Sequence, residues 1–543
     1  MMPHRIRTRP PLGQAGLPPR ASDPDAVRAF LEDAAHFPGG QAEAVVFPRS
    51  EAEVAETVRT GVRVLPVGAQ SSVTGGATPL GGVVLSTSKM NAVLEVGRDE
   101  VRVQAGLPLV TLKADLAARG LYYPPAPTYD GAFVGGTVST NASGAATFKY
   151  GSTRAWVRGL TVVLASGAVL ELERGQARAH PDGYFEIEED GRLVRVMVPT
   201  YTMPRVAKRS AGYHAEPGMD LVDLFVGAEG TLGVVVEARL GVVSPAPALC
   251  VVLAFFRSEA AALDLAGRLR RESRETWRTR DPRGLDVSAI EMLDAGSLAL
   301  LHEDGADAKN GIELPPGTET ALIVQVELPA GTSGEAAFDA IAAALEPGGD
   351  AHPLGRLCRL LDAAGALEDA QVAVPGDLAR AAQLYEFREA APEAVKRRVA
   401  LAKERVDPAI QKTAADMIVP FDRFAGMMEV YRGGYRRRGL RYAIWGHVSD
   451  GNVHPNVVPR SVEDVRAGQE AILEFGREAI ARGGCPLSEH GVGRSPVKQA
   501  LLRQLYGDEG IAQMRAVKAA LDPAFRLAPG VLFPAPRPGN SLV

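Results

Sequence analysis

Two histidines, His447 and His454, lie on either side of an Asp-Gly-Asn turn in the stretch GHVSDGNVHP. The whole chain has only nine histidines. A second short stretch, CPLSEHGVGRSP, adds Glu489 and His490. Two imidazoles and one carboxylate suit Zn²⁺ or another borderline divalent ion and leave a position open for substrate. If the two turns meet, these residues form a catalytic metal site.

A structural interpretation of the two histidines competes with this one. Histidines at strand ends are often satisfied by ordinary hydrogen bonds, and the spacing of two histidines is a weak signal by itself. The spacing therefore leaves both interpretations open.

Length and charge restrict the class of partner. A chain of 543 residues predicts roughly two to four domains. Its 46% hydrophobic and 23% charged residues are typical of a globular protein. The formal net charge of -5 provides no broad basic surface for nucleic acid, so a small molecule is the expected partner.

The cysteines and the apolar runs bear on where in the cell the protein is expected. The three cysteines, Cys250, Cys358 and Cys485, are too far apart in sequence for an iron-sulfur motif and do not indicate a disulfide framework. The longest apolar run, LCVVLAFF, is less than half of the ~20 residues that a bilayer span needs. We expect a cytoplasmic protein without a membrane span.

The elements that must position these residues indicate an α+β fold. A loose N-terminal tail and a helix over about 25–36 occupy residues 1–37. The pattern of residues 38–247 predicts β-α-β units and a hairpin at 159–173. A Pro-Ala-Pro segment at 245–247 marks a boundary, after which helices and strands alternate over 248–535 in a second domain.

Three glycine-rich stretches interrupt the first domain, at 65–85, 123–160 and 223–240. Small residues after a strand bring backbone N–H groups and hydroxyls close to an anionic group such as a pyrophosphate. None of the stretches has the GxGxxG pattern of a Rossmann fold, and an ordinary loop is the alternative. The small residues of GGTVSTNASGAA favour a large flat ligand lying against bare backbone.

With these motifs in this order, residues 38–535 resemble flavoproteins of the vanillyl-alcohol-oxidase type. The resemblance is to the D-2-hydroxy-acid dehydrogenase and glycolate oxidase branch, which has the FAD-linked oxidase C-terminal domain. It implies a two-subdomain FAD-binding domain followed by an α+β substrate (cap) domain, which has an antiparallel sheet and a C-terminal helical return to the flavin.

The resemblance also implies that the three glycine-rich stretches hold FAD. No His or Cys lies where some relatives attach the cofactor covalently, so non-covalent FAD is expected. Ala69 and Gln70 depart from the Gly-Gly-Gly-Thr that is common in this family. The residues expected to contact FAD are Pro66, Gly68, Ala69, Gln70, Ser71, Ser72, Gly76, Pro127, Thr128, Gly135, Gly136, Ser139, Thr140, Asn141, Gly144, Tyr150, Gly151, Glu229, Gly230, Gly233 and Val234.

For the metal site, the resemblance assigns the ligand roles to His447, His454 and Glu489, with zinc as the expected ion. It makes His490 the catalytic base and places Asn456 close to the substrate. An alcohol is a weak acid at neutral pH, so a metal on the substrate hydroxyl would stabilise the developing alkoxide. An imidazole could then accept the proton.

Two cations are expected to bind the substrate carboxylate. The resemblance assigns this role to Arg388, in a predicted helix, and to Lys412, just before a strand; the alternative is that both are solvated surface charges. Pro392 stands where some relatives have a substrate-binding Thr, and Ala528 stands where they usually have Asn. These two departures leave the substrate open.

The function implied is FAD-dependent oxidation of a small D-2-hydroxy acid, of the D-lactate, D-2-hydroxyglutarate or glycolate type, to the 2-oxo acid. Hydride would pass to flavin N5. One alternative is a non-redox flavoenzyme like alkyl-glycerone-phosphate synthase. Another is the flavin subunit of a multi-subunit glycolate oxidase whose partner carries iron-sulfur clusters. The electron acceptor is open, and a homodimer is a further option.

Overall fold

The computed structural model describes residues 4–125, 127 and 129–534 and divides into two compact units. The first unit contains the chain up to residue 144, residues 151–244 and the chain from residue 487 onward. The second unit contains residues 145–150 and 245–486. Thr128, which the sequence analysis assigns to FAD binding, lies outside the described residues, as does the predicted domain limit at residue 535.

The first unit contains three sheets. The strand orders are β1-β10-β11, β2-β3-β5-β4 and β6-β7-β12-β8-β9. The strands are β1 Arg5–Arg7, β2 Arg20–Ala21, β3 Ala44–Val46, β4 Val64–Val67, β5 Val83–Ser86, β6 Val93–Val96, β7 Glu100–Gln104, β8 Val157–Val163, β9 Val169–Glu173, β10 Tyr184–Glu189, β11 Arg192–Met197 and β12 Val234–Gly241.

The helices of the first unit are mostly short, and its last helix is kinked at Gly507, whose φ is 69°. They are α1 Pro24–Arg28, α2 Glu51–Arg59, α3 Leu109–Ala117, α4 Val134–Thr140, α6 Thr153–Trp156, α7 Leu221–Phe225 and α16 Pro496–Leu521.

A β-α-β arrangement positions the first glycine-rich stretch, as the sequence predicts. Strands β3 and β4 both run parallel to β5, and α2 connects them. Ser50 begins α2 by accepting a hydrogen bond from the N–H of Glu53. Val54 and Val58 pack in one core with Leu85. The carboxyl end of β4 therefore leads directly into residues 68–76.

The N-terminal segment is more ordered than the loose tail predicted from sequence. Strand β1 pairs parallel to β10, and β2 pairs with β3. The helix predicted over about 25–36 ends at Arg28. The carbonyls of Ala29 and Glu32 accept hydrogen bonds from the side-chain amide of Gln70, so this segment binds the glycine-rich loop instead of continuing as a helix.

The second unit is built on one eight-stranded sheet with the order β16-β13-β15-β14-β19-β20-β17, in which β18 also pairs with β20. Its described pairings are all antiparallel, in agreement with the predicted substrate domain. The strands are β13 Ala248–Phe256, β14 Val287–Asp294, β15 Thr320–Leu328, β16 Gln371–Ala373, β17 Thr413–Ala414, β18 Met417–Ile418, β19 Tyr442–His447 and β20 Asn452–Val457.

Helices cover this sheet, and the longest of them supplies part of the core. Leu384 and Phe387 of α13 pack with Trp445 of β19. Among the described residues, no helix is both long and apolar enough to cross a membrane. The helices of the unit are α5 Thr147–Tyr150, α8 Glu259–Thr279, α9 Ala295–Glu303, α10 Ala306–Lys309, α11 Gly334–Ala342, α12 Pro353–Ala363, α13 Leu378–Arg405, α14 Phe421–Arg437 and α15 Val462–Ala481.

Ala528 gives a test of backbone strain in the first unit. Its φ of 42° is left-handed, and its N–H donates to the carbonyl of Val64 at 2.8 Å. Since left-handed backbone costs a Cβ-bearing residue ~1–2 kcal/mol, Ala528→Gly is expected to raise the free energy of unfolding by about 0.5 kcal/mol in urea titrations. The control Ala114→Gly, in helix α3, should lower it by ~1 kcal/mol. Equal losses of unfolding free energy in the two variants would contradict backbone strain at Ala528.

Candidate active site

In the first unit, the three predicted FAD-binding stretches converge. Asn141 ends α4 with a left-handed φ of 50°. The N–H of Gly227 donates to the carbonyl of Val138, and the N–H of Glu229 donates to that of Ser139. A Cβ on Gly230 would lie 3.4 Å from the ring of Pro66 in β4. These contacts join the turn 227–230 to α4 and to the strand that precedes the first glycine-rich loop.

The residues at this convergence fit a large polar cofactor. The hydroxyls of Thr78 and Ser143 are buried and have no hydrogen-bond partner among the described residues. Buried hydroxyls are normally paired, so these two favour a polar ligand such as a pyrophosphate or a ribityl chain. A Cβ on Gly135 would lie 2.7 Å from the Cβ of Ala105, whereas one on Gly136 would meet nothing within 4 Å. Helix α4 therefore packs on one side and leaves space on the other.

The segment with Glu489 and His490 also belongs to the first unit. Its entry is fixed by the N–H of Ser210, which donates to the carbonyl of Leu487 at 3.1 Å. The carboxylate of Glu489 accepts a hydrogen bond from the ammonium of Lys208, and both side chains are buried. Lys208 is absent from the sequence-based site. Lys208 is one of two adjacent cations in AKRSAGYH, and the stretch gives no sign of its partner, which lies 281 residues away.

Residues 491–493, which follow His490, are held by Glu229. Its two carboxylate oxygens accept hydrogen bonds from the N–H groups of Val492 and Gly493, each at 2.8 Å. Burial raises the pKa of Glu229 to about 7, and the two N–H groups oppose this rise. Gly491 lies so close that a Cβ there would be 3.0 Å from this carboxylate. Glu229, predicted to contact FAD, thus anchors the loop of His490.

In the second unit, adjacent strands bring His447 and His454 together. Strands β19 and β20 are antiparallel, with Trp445 opposite His454 and His447 opposite Asn452. The two imidazole centroids are 5.5 Å apart, and the rings are nearly perpendicular at 88°. Both side chains are buried. The hairpin therefore places the two imidazoles next to each other, as a shared ligand site requires.

Arg388 is buried beside this pair, so it is not a solvated surface charge. Its Nε donates to Oε2 of Glu291 at 2.6 Å. Oε1 of Glu291 contacts Nδ1 of His447, which lies directly opposite on the neighbouring strand. Within the described residues, no hydrogen bond involves the two terminal amino groups of Arg388. These two groups can bind a second carboxylate.

Asn456 and Lys412 lie along the same part of the sheet. Asn456 is buried, and its Nδ2 donates to the carbonyl of His454, while its Oδ1 has no partner among the described residues. Lys412 is half-buried and directly precedes β17, which pairs with β20 at Asn456. The orphan amide oxygen favours a polar ligand next to Asn456.

Tyr150, which the sequence predicts to contact FAD, belongs to the second unit. Its hydroxyl donates to the carboxylate of Glu327 at 2.6 Å.

A further acid lies beside the histidine pair. Asp416 is buried, with Oδ1 3.5 Å from Nδ1 of His454. Neither Asp416 nor Glu291 was predicted from the sequence. The available signal was an acid inside an apolar stretch: Asp416 in AADMIVP, and Glu291 together with Asp294 in SAIEMLD.

Comparison with known proteins identifies the class. Residues 42–173 match the FAD binding domain family, and residues 248–532 match the family of FAD linked oxidases, C-terminal domain. The chain belongs to the FAD-linked oxidase family. It is an FAD-dependent oxidoreductase with the vanillyl-alcohol-oxidase type of fold.

Similar proteins have names that describe related reactions. Glycolate oxidase subunit GlcD of Bacillus subtilis is 28% identical over 503 residues, which cover 90% of this chain and 89% of that protein. D-2-hydroxyglutarate dehydrogenase of Xanthomonas citri is 29% identical over 505 residues, covering 90% and 89%. A solved structure of alkyldihydroxyacetonephosphate synthase has a TM-score of 0.59 at 15% identity and covers 96% of this chain and 88% of its own. This similarity shows that the two proteins share a fold.

The raised pKa of Glu229 predicts a pH-dependent stability. Because the folded pKa of about 7 exceeds the ordinary value of 4.5, the protonated form favours folding, and this contribution is lost as the pH rises from 4.5 to 7. Relative to Glu229→Gln, the wild type should lose about 3 kcal/mol of unfolding free energy over this range. Urea titrations of the FAD-loaded proteins at several pH values measure this.

The control for this experiment is Glu237→Gln, which neutralises a carboxylate on β12 that is bound to Arg102. It tests whether any lost acidic group gives the same trend. Parallel stability curves for the wild type and Glu229→Gln between pH 5 and 8 would contradict the assignment.

Proposed function

We propose that this protein oxidises a small D-2-hydroxy acid to the 2-oxo acid. The observation that carries the proposal is the buried series Arg388, Glu291 and His447 in the C-terminal domain of an FAD-linked oxidase. It combines a forked cation for a carboxylate with an imidazole suited to a metal or a proton. A 2-hydroxy acid presents these two groups, a carboxylate and a hydroxyl, on adjacent carbons.

The substrate carboxylate would bind the terminal amino groups of Arg388. The hydrogen bond from Nε to Glu291 fixes the plane of the guanidinium, so both terminal groups keep one orientation. Lys412 would add a second positive charge. Asn456, with its orphan oxygen, would accept a hydrogen bond from an ordered water beside the substrate.

Oxidation of the substrate removes a hydride from Cα and a proton from the hydroxyl. Each of the two needs its own acceptor. FAD, when bound, supplies the oxidant that takes the hydride from Cα. His490 would accept the hydroxyl proton, and the loop anchored by Glu229 would hold the His490 backbone in place. The product is the 2-oxo acid.

We further propose that His447, His454 and Glu489 hold a divalent metal ion, with zinc as the first candidate. The donor chemistry supports this, because two neutral imidazoles and a carboxylate are common zinc ligands. When bound, the ion would supply a Lewis acid that lowers the pKa of the substrate hydroxyl. Lys208 would then have to share the Glu489 carboxylate with the ion.

The names of the relatives support D-lactate, D-2-hydroxyglutarate and glycolate as first substrates to test. A second candidate is the role of a flavin subunit in a larger complex, because GlcD is named as a subunit. Pro392 bears on specificity: it has no N–H to donate to the carbonyl of Arg388 one turn earlier, which perturbs the helix where the carboxylate would bind.

The proposal predicts that one D-2-hydroxy acid bleaches the flavin without oxygen. The purified protein would be mixed anaerobically with each D-acid and its L-isomer, or with glycolate, while flavin absorbance is followed. His490→Ala should slow bleaching ~10²–10⁴-fold with unchanged FAD content. The exposed His302 supplies the control, His302→Ala, which should react like the wild type. A flavin that stays oxidised with every acid would refute the proposed substrate class.

A separate prediction concerns Arg388. Arg388→Lys keeps the charge but loses the forked geometry, so KM should rise ~10–100-fold with a smaller change in kcat. Arg398→Lys on the same helix is the control, because Arg398 pairs with Asp304 and Glu303 away from the histidines. An unchanged KM in Arg388→Lys would exclude Arg388 as the carboxylate site.

A further inference from the structure

The two histidines of the β19–β20 hairpin differ in how they meet a buried carboxylate. Nδ1 of His447 is hydrogen-bonded to Glu291, whereas Nδ1 of His454 lies 3.5 Å from Oδ1 of Asp416 without a hydrogen bond between these two atoms. Both acids are at least nine-tenths buried, as are both histidines. Of the two imidazoles, it is therefore His447 that has a carboxylate bound at Nδ1.

The sheet fixes both carboxylates in place. Glu291 is the direct cross-strand partner of His447 between β14 and β19. Asp416 lies between β17 and β18, which both pair with β20. The side chain of Asn452 donates to Oδ1 of Asp416 at 3.3 Å and to the carbonyl of Met417 at 2.9 Å. Strand register therefore sets the distance from Glu291 to the ring of His447.

A carboxylate beside Nδ1 decides which tautomer a neutral imidazole adopts. An ionised carboxylate can only accept hydrogen bonds, so the ring nitrogen next to it must carry the proton. The lone pair is then left on Nε2. In metal sites, the same outer carboxylate orients the ring and increases its basicity, and its loss typically costs 10–100-fold in affinity.

We propose that Glu291 is a positioning residue that holds the imidazole proton on Nδ1 of His447. The lone pair of this ring is then on Nε2, where it can bind a divalent cation. The link to a cation rests on the proposed function, whereas the tautomer does not. Glu291 has a second task, because its Oε2 binds Arg388 while its Oε1 faces His447.

Replacing Glu291 with glutamine separates these two tasks. A glutamine side chain has one accepting oxygen and one donating amide. Arg388 can only donate, so the oxygen remains on Arg388 and the NH₂ turns to His447. Nδ1 of His447 must then accept, and its proton moves to Nε2, where the cation would bind. His454 should be unaffected, because its Nδ1 lies beside Asp416 and not beside Glu291.

The first experiment measures the tautomers directly in metal-free, FAD-loaded protein. The chain has nine histidines, so ¹⁵N-histidine labelling gives few signals. Long-range ¹H–¹⁵N spectra would be assigned with His447→Gln and His454→Gln. We expect protonated Nδ1 on His447 in the wild type, and a changed tautomer at His447 but not at His454 in Glu291→Gln. Protonated Nε2 on His447 of the wild type would overturn the proposal, even if the variant fails to fold.

The second experiment titrates Zn²⁺ against a coloured chelator. Glu291→Gln should bind zinc 10–100-fold more weakly than the wild type. Asp307→Asn is the matched control: it removes the carboxylate at Nδ1 of the exposed His302, at 2.6 Å, and should leave zinc binding unchanged. Wild-type affinity in Glu291→Gln would overturn the positioning role and leave the proposed metal site standing. An Nδ1 tautomer of His447 without zinc binding would support the positioning role and refute the metal site.

Discussion

The second unit is organised around one buried negative charge, Glu291. A carboxylate inside a sheet must be compensated, because transfer of an unpaired charge from water is prohibitive. Glu291 is compensated on one oxygen by Arg388 and is hydrogen-bonded on the other by His447. Removal of one partner from a buried ion pair typically costs ~3–5 kcal/mol. Helix α13 must therefore turn Arg388 toward β14, and β19 must keep the register that sets His447 opposite Glu291.

The first unit solves a similar problem with its C-terminal segment. Glu229 binds the N–H groups of Val492 and Gly493, and Lys518 binds both Asp522 and the carbonyl of Thr231. The contacts of Glu229 and the contact between Lys518 and Thr231 join residues more than 250 positions apart. They are directional, unlike apolar packing, so they fix the orientation of the loop after His490 as well as its location. A loop with two glycines at positive φ, Gly491 and Gly493, needs this external support to hold one conformation.

Sequence patterns were sufficient for the parts of this fold that are local. Apolar runs and turn signals predicted the β8–β9 hairpin and the alternation of helices and strands in the second domain. They failed where a distant contact decides the structure, as at α1, whose following residues bind Gln70. Glu291, Asp416 and Lys208 were missed for the same reason. The role of each charge appears only when a partner far along the chain is next to it.

Charge balance links the proposed roles of Arg388 and the histidines. Arg388 and Glu291 form an ion pair, and Asp416 is a further buried acid beside His454. A substrate carboxylate entering this set would bring another negative charge into a buried place, which is unfavourable unless that charge is compensated. A divalent cation on the histidines would supply positive charge nearby. Carboxylate binding at Arg388 and cation binding at the hairpin should therefore favour each other through electrostatics.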